Sequence, residues 1–212
     1  MSGHLYKDRA DAAAALALLL AEYKDRHPLI LAIPRGALPI GKILAEKLHG
    51  ELDIVLVHKL RAPFSPEFAI GAIDETGWTY IAPSAREFGV GTDFIEEEKL
   101  RQMAALKSRR QQYTPHRSPI DPKGRIAIIV DDGLATGATM IAALHAARAR
   151  QPAELVCAVP VAAADSLKRV AALADKTVCP STPADFMSVA QYYRHFPQVE
   201  DDEAIRLLSG GA

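Results

Sequence analysis

Short, uninterrupted apolar runs recur along the chain, and each gives way to a polar or glycine-bearing break and then to a helical pattern. The clearest are "PLILAI" (Pro28 to Ile33), "DIVLVHK" (Asp53 to Lys59), "IAIIV" (Ile126 to Val130) and "ELVCAVPV" (Glu154 to Val161). A run without polar alternation suits a strand buried on both faces, as in parallel sheets covered by helices. The segments between them supply those helices. "IGKILAEKLH" places Ile40, Ile43, Leu44 and Leu48 on one helical face. Further helices are expected from Asp93 to Gln112, from about Ala138 to Arg150 and from about Asp165 to Ala174, with a short "TVC" strand after the last. Strands alternating with helices predict an α/β fold: a doubly wound, largely parallel sheet with flanking helices.

The alternation is interrupted once. Between Leu60 and Pro83, "FAIGAI" and "WTYIA" flank Asp74-Glu75-Thr76-Gly77, the pattern of a hairpin turn. The helix after it opens with Glu96, Glu97 and Glu98 and closes with Lys107, Arg109 and Arg110, in accord with the helix dipole. A hairpin and helix insertion at about 61–118 and a C-terminal cover segment at about 180–212 are therefore expected within a single domain spanning 1–212. A length of 212 residues with 49% hydrophobic residues supports one sizeable core. The net charge of -1 argues against a general nucleic-acid binder. The Ala/Leu run near the N-terminus follows Lys7, Asp8, Arg9 and Asp11, lacks an A-x-A site and is too short to span a membrane, so it reads as a first amphipathic helix of a cytoplasmic protein. Cys157 and Cys179 form no C-x-x-C pair or disulfide framework.

In such folds ligands bind beyond the carboxyl ends of the strands, so the residues just after each apolar run matter most. These are Arg35-Gly36, then Lys59 and Arg61, then Asp131-Asp132 with the loop "ATGAT", Ala135 to Thr139. A small-residue turn entering a helix exposes backbone N–H groups and the positive end of the dipole, which suits a phosphate. It is neither a Walker A loop nor a G-x-G-x-x-G fingerprint. An ordinary strand-to-helix turn remains the competing reading. Adjacent carboxylates beside an anion site repel it unless each has a partner. Sugar hydroxyls and the water shell of Mg²⁺ are natural ones. A ligand combining phosphate, vicinal diol and magnesium, such as a ribose 5-phosphate moiety, reconciles the two features.

"IIVDDGLATGAT" resembles the phosphoribosyl-pyrophosphate (PRPP) signature of the type I phosphoribosyltransferases. "AIPRGALPIG" is similar to that family's pyrophosphate loop, and "VHKLRAP" to the basic segment that follows. The layout, including "STPADFMSVAQYYRHFPQVEDDEA", further resembles small bacterial phosphoribosyltransferase-like proteins of undefined acceptor. The resemblance implies an enzyme that moves the 5-phosphoribosyl group from PRPP to a nitrogenous acceptor, a nucleobase or similar molecule, and releases pyrophosphate. Asp131 and Asp132 would meet the ribose hydroxyls, directly or through Mg²⁺-bound water. Ala135, Thr136, Gly137, Ala138 and Thr139 would cradle the 5-phosphate. Arg35, Gly36, Lys59 and Arg61 would bind the pyrophosphate. Asp131, Asp132 and Lys59 would form the catalytic set. In that family the Arg35-Gly36 loop can carry a strained or cis peptide. Gly133 stands where the family usually has an aliphatic residue, which is expected to loosen the turn; Ala37 replaces a common second glycine.

A non-catalytic protein that binds PRPP or a nucleotide and regulates a partner stays open, as does a homodimer. Neither a nucleic acid nor a membrane is an expected partner. For the acceptor, the aromatic cluster Phe186, Tyr192, Tyr193 and Phe196, bracketed by prolines 180, 183 and 197, is expected to lie over the carboxyl end of the sheet. Packing of these rings onto the core competes with that reading. His58, His116 and His195 show no metal-ligand spacing, and His58 reads as packing. Arg109-Arg110 read as a solvated face and Trp78 as hairpin packing; Glu67, Asp74 and Glu75 could face the site, and a turn and an exposed rim explain them equally well.

Overall fold

The computed structural model describes residues 5–81, 85, 89–115 and 118–209, and the side chains at 65–69 are not described. His116 and the Glu67 side chain therefore lie outside the described residues. Helices α1 (Arg9–Leu19), α2 (Leu38–Leu48), α3 (Thr92–Tyr113), α4 (Ala138–Ala149), α5 (Ala164–Ala171) and α6 (Asp201–Leu208) alternate with strands. The strands are β1 (Leu29–Ala32), β2 (Glu51–Ile54), β3 (Val57–Ala62), β4 (Ser65–Asp74), β5 (Thr79–Ile81), β6 (Ile126–Val130), β7 (Glu154–Ala158) and β8 (Lys176–Val178). Among the described residues, β2-β1-β6-β7-β8 form a five-stranded sheet, and each pairing is parallel. No described helix is long and apolar enough to cross a membrane.

The continuous apolar runs are explained by burial on both faces. Successive strand residues point to opposite sides. Ile30, Ala32, Ile128, Val130, Val156 and Ala158 join one core cluster with Leu16 of α1 and Leu38 and Leu44 of α2. Leu29, Leu31, Ala127, Ile129, Leu155 and Cys157 join the other with Met140, Ala143 and Leu144 of α4. The N-terminal helix is capped by the Asp8 carboxylate, which accepts from Asp11 N at 3.0 Å.

The second apolar run departs from expectation. "DIVLVHK" is not one buried strand. β2 ends at Ile54, and β3 starts a separate antiparallel sheet, β3-β4-β5, that carries Lys59. The hairpin turn is as expected: Asp74 Oδ1 accepts from Thr76 N (2.9 Å), Thr76 Oγ1 (2.7 Å) and Trp78 N (2.9 Å), and Gly77 takes φ 92°. This sheet sits on α4, where the His145 ring stacks on Trp78 (5.6 Å) and Tyr80 (4.8 Å).

Arg110 corrects the reading of Arg109-Arg110 as a solvated face. Its side chain is buried, with Nη1 donating to Asp53 Oδ1 (2.9 Å), Nη2 to the Ile54 carbonyl (3.0 Å) and Nε to Glu75 Oε2 (2.6 Å). Asp53 also accepts from Ile120 N at 2.8 Å. Buried charges persist only when paired and hydrogen-bonded, and this network meets that condition. It ties the insertion to the edge strand of the main sheet.

Candidate active site

The strand order places a topological switch point between β1 and β6, because the chain leaves β1 toward β2 on one side and later returns to β6 on the other. The two strands run in register, Ala32 opposite Val130, and Ile33 N donates to the Val130 carbonyl at 3.0 Å. Their outgoing loops, Arg35-Gly36 and Asp131-Asp132, therefore emerge side by side. The Pro34–Arg35 peptide is cis. A Cβ added at Gly36 would overlap Asp132 Oδ2 and stand 3.0 Å from Asp132 Cγ, so only glycine permits this approach.

The acids are not equivalent. Asp132 Oδ2 accepts from Arg9 Nε (3.1 Å) and Nη2 (2.8 Å). Arg9 is held in turn: Nη1 donates to the Pro197 carbonyl (2.7 Å), and its guanidinium lies 3.8 Å from the centre of the Phe196 ring. The Asp131 carboxylate accepts from the backbone N of Asp132 at 2.9 Å and lies against the Asp132 carboxyl. Burial, then the neighbouring Asp132 charge, pushes Asp131 well above the ordinary carboxylate range. Burial also raises Asp132, opposed by Arg9.

The Ala135–Thr139 loop enters α4 through a glycine. Gly137 takes φ 77° at the N-cap of α4, a left-handed conformation that favours glycine, and no side chain among the described residues caps the helix there. The carbonyls on the other side of the loop are occupied. Ser166 Oγ donates to the Ala135 carbonyl at 2.6 Å, and Arg169 Nη2 donates to the Thr136 carbonyl at 3.0 Å.

The expected pyrophosphate set is divided. Arg35 and Gly36 line a cavity of about 410 Å³ with Arg9 and Phe196. Lys59 and Arg61 instead line one of about 440 Å³ with His58, Gln102 and Thr139, on the anion-loop side. The cause is the break after β2, which carries Lys59 into the second sheet. His58 is half-buried, its Nδ1 2.8 Å from Gln102 Oε1, and burial lowers its pKa. Arg35 Nη1 lies 3.3 Å from Asp201 and 3.7 Å from Glu200, at the start of α6.

The C-terminal segment does reach the acid pair. Tyr193 OH donates to the Asp132 carbonyl at 2.7 Å, and a Cβ at Gly133 would meet Val189 Cγ1 at 2.6 Å. Gly133 thus does not loosen the turn; Val189 fills the space an aliphatic residue would take. Tyr193 and Phe196 are packed, since Tyr193 stacks on Phe196 (4.7 Å) and sits 5.6 Å from Tyr6. Phe186 stacks on Tyr192 at 5.4 Å, and the buried Tyr192 hydroxyl has no partner among the described residues. Arg9, Ser166 and Arg169 are the residues that sequence reasoning missed. No local pattern marks them, because each acts on a loop far along the chain.

The fold and these loops define a doubly wound α/β protein whose charged loops gather at the switch point. Residues 66–195 match the profile of the phosphoribosyl transferase domain. The chain is 40% identical over 205 residues to two Mycobacterium tuberculosis proteins provisionally named phosphoribosyl transferases, MT0597 and Rv0571c. That match covers 96% of this chain but 46% of theirs, so the chain spans about half the length of the curated relatives it matches. The crystal structure of TT1426 from Thermus thermophilus superposes with a TM-score of 0.88 at 39% identity, covering 98% of this chain and 99% of that one. A hypoxanthine phosphoribosyltransferase of Staphylococcus aureus shares the fold at a TM-score of 0.50 and 14% identity, over 88% of this chain and 80% of that one. The chain belongs to the phosphoribosyl transferase family.

Proposed function

We propose that this site binds PRPP and transfers its 5-phosphoribosyl group to a nitrogenous acceptor, a nucleobase or similar molecule. The observation that carries this reading is the meeting of the acid pair and the Arg35-Gly36 loop at the switch point, with Gly36 against Asp132. The bond from the anomeric carbon to pyrophosphate breaks, and the leaving group takes the electron pair. A bond from the acceptor nitrogen to that carbon forms, and the proton that the nitrogen gives up passes to solvent or to the released pyrophosphate.

The loop from Ala135 to Thr139 holds the 5-phosphate, with Lys59 and Arg61 adding charge through the wall they share with Thr139. Asp131 takes the ribose hydroxyls. Its carboxylate, destabilised as an anion by burial and by Asp132, suits a hydrated Mg²⁺, which prefers one or two carboxylates and substrate phosphates. When bound, Mg²⁺ neutralises charge on the leaving pyrophosphate. Asp132 has one oxygen committed to Arg9 and offers the other to ribose or to metal-bound water. Arg35 exchanges Asp201 and Glu200 for the pyrophosphate. Tyr193, whose hydroxyl donates to the Asp132 carbonyl, brings the segment that carries Phe186 and Tyr192 against the acid pair, on the acceptor side.

The test is pyrophosphate release from PRPP and Mg²⁺ across a panel of nitrogenous bases. Stoichiometric nucleotide and pyrophosphate with one acceptor supports the reading. PRPP binding without release for any acceptor would match the regulatory alternative, and no PRPP binding at all would refute the transferase and leave only a nucleotide-binding regulator.

A further inference from the structure

An anion loop works only if its amide hydrogens, not its carbonyl oxygens, face the ligand. A carbonyl oxygen turned inward places partial negative charge against the anion. The loop from Ala135 to Gly137 has two successive carbonyls to dispose of before α4 begins. Both are bound by side chains of α5. Ser166 is buried, and its single hydroxyl proton goes to the Ala135 carbonyl at 2.6 Å. The Ser166 oxygen accepts from Arg169 Nη2 at 3.1 Å, and Arg169 Nη2 also donates to the Thr136 carbonyl at 3.0 Å. The direction is fixed: the guanidinium donates to the hydroxyl, the hydroxyl to one carbonyl, and the guanidinium to the next. The backbone supports the same placement, because Ala163 N donates to the Leu134 carbonyl and Leu134 N to the Val161 carbonyl, both at 2.9 Å. A Cβ at Gly137 would lie 3.6 Å from Ser166 Cβ.

We infer that Ser166 and Arg169 are positioning residues for the phosphate end of the site, a role that rests on the proposed PRPP reading and extends it. They hold the carbonyls of Ala135 and Thr136 on α5 and so leave the loop's amides to the ligand. Arg169 adds a second effect. It lines a cavity of about 340 Å³ with Lys59, Thr136 and Ala138, so its positive charge stands at the loop's rim. Neither residue touches the reacting carbon. Their effect belongs in phosphate affinity and in KM for PRPP, not in the chemical step.

The experiment measures inorganic phosphate binding by calorimetry, together with the KM and kcat split for PRPP turnover and thermal stability. Arg169 is exposed, so Arg169→Ala is expected to leave the fold intact. It should weaken phosphate binding and raise KM for PRPP about tenfold, with kcat within about twofold, as expected for a lost charge-assisted bond. Ser166→Ala should move the same quantities in the same direction. Arg169→Lys keeps the charge and a single nitrogen that can donate to both acceptors, as Nη2 does, and should recover part of the loss. Lys168→Ala removes a neighbouring charge that pairs with Asp165 and should bind phosphate as the wild type does. Wild-type affinity in both Arg169→Ala and Ser166→Ala would overturn the positioning role. So would an equal loss in Lys168→Ala, which would reduce the effect to bulk charge. A wild-type chain that binds no phosphate would overturn the anion-loop reading itself along with it.

Discussion

The seat of the C-terminal segment on the acid loop can be tested by one pair of substitutions. Gly133 has no left-handed φ, so its backbone tolerates alanine. The obstacle is Val189, whose Cγ1, Cγ2 and Cβ stand 2.6, 2.7 and 3.1 Å from where a Cβ at 133 would be. Gly133→Ala alone should destabilise the protein by about 1–3 kcal/mol through overpacking. Val189→Ala alone removes two half-buried methyl groups and should cost about 1 kcal/mol. In the double variant both Cγ atoms are gone, and the remaining 3.1 Å approach is relieved by a shift of a few tenths of an ångström. The new methyl then occupies part of the vacated space. The double variant should therefore be more stable than Gly133→Ala alone, with a coupling of about −1 to −2 kcal/mol against the sum of the singles. Urea unfolding followed by far-UV circular dichroism measures all of the variants. Additive costs, within about 0.5 kcal/mol, would mean that Val189 does not rest on Gly133, and the placement of the cover over the acid pair would be wrong.

Asp131→Asn with Asp132→Asn should abolish the Mg²⁺ dependence of PRPP binding and weaken it, while circular dichroism stays unchanged; unaltered affinity by calorimetry would remove the acids from the site. Arg110→Met should cost about 3–5 kcal/mol in urea unfolding, because it removes the cation that pairs with the fully buried Asp53 charge. Tyr113 OH donates to Asp201 at 2.8 Å, and this bond first, then the Arg35 charge against burial, lowers the Asp201 pKa. A lowered carboxylate stabilises the fold above its unfolded pKa, and that contribution is lost as pH falls through the folded value. Tyr113→Phe should thus lose about 1 kcal/mol at neutral pH, and the gap from wild type should narrow in acid unfolding below the ordinary carboxylate range. In high sulfate, an ion should occupy the Ala135–Thr139 loop, and Gly137→Val should harm its binding more than Thr136→Ala, since the φ of 77° at Gly137 disfavours any side chain.

The parts legible in the sequence were those whose signal is local. The apolar runs announced the parallel sheet because each is buried on both faces. The acid pair and the Ala135–Thr139 loop could be picked out because each is contiguous in the sequence. "DIVLVHK" misled because nothing in it marks the point where the chain leaves one sheet for another; no glycine or proline stands between Ile54 and Val57. Arg110 looked like any helix-surface arginine, since its partners Asp53 and Glu75 are distant in sequence. Helix α6 went unread, although Asp201, Asp202 and Glu203 mark its first turn. Gly133 reads as a weakness in the sequence because the residue that compensates for it lies in the C-terminal segment.

The grip of Arg9 on Asp132 has a consequence for how the chain matures. Arg9 is 123 residues from Asp132 and 188 from Pro197, and it binds both. During synthesis from the N-terminus, helix α1 can form early, but its arginine has no partner until the acid loop is made. It is locked only when the last strap emerges. Contacts this far apart carry the largest loop-closure cost and form late. A nascent chain that has reached the end of β8 can already pair Arg9 with Asp132, and still lacks the Pro197 carbonyl and the Phe196 ring that hold the guanidinium from its other side.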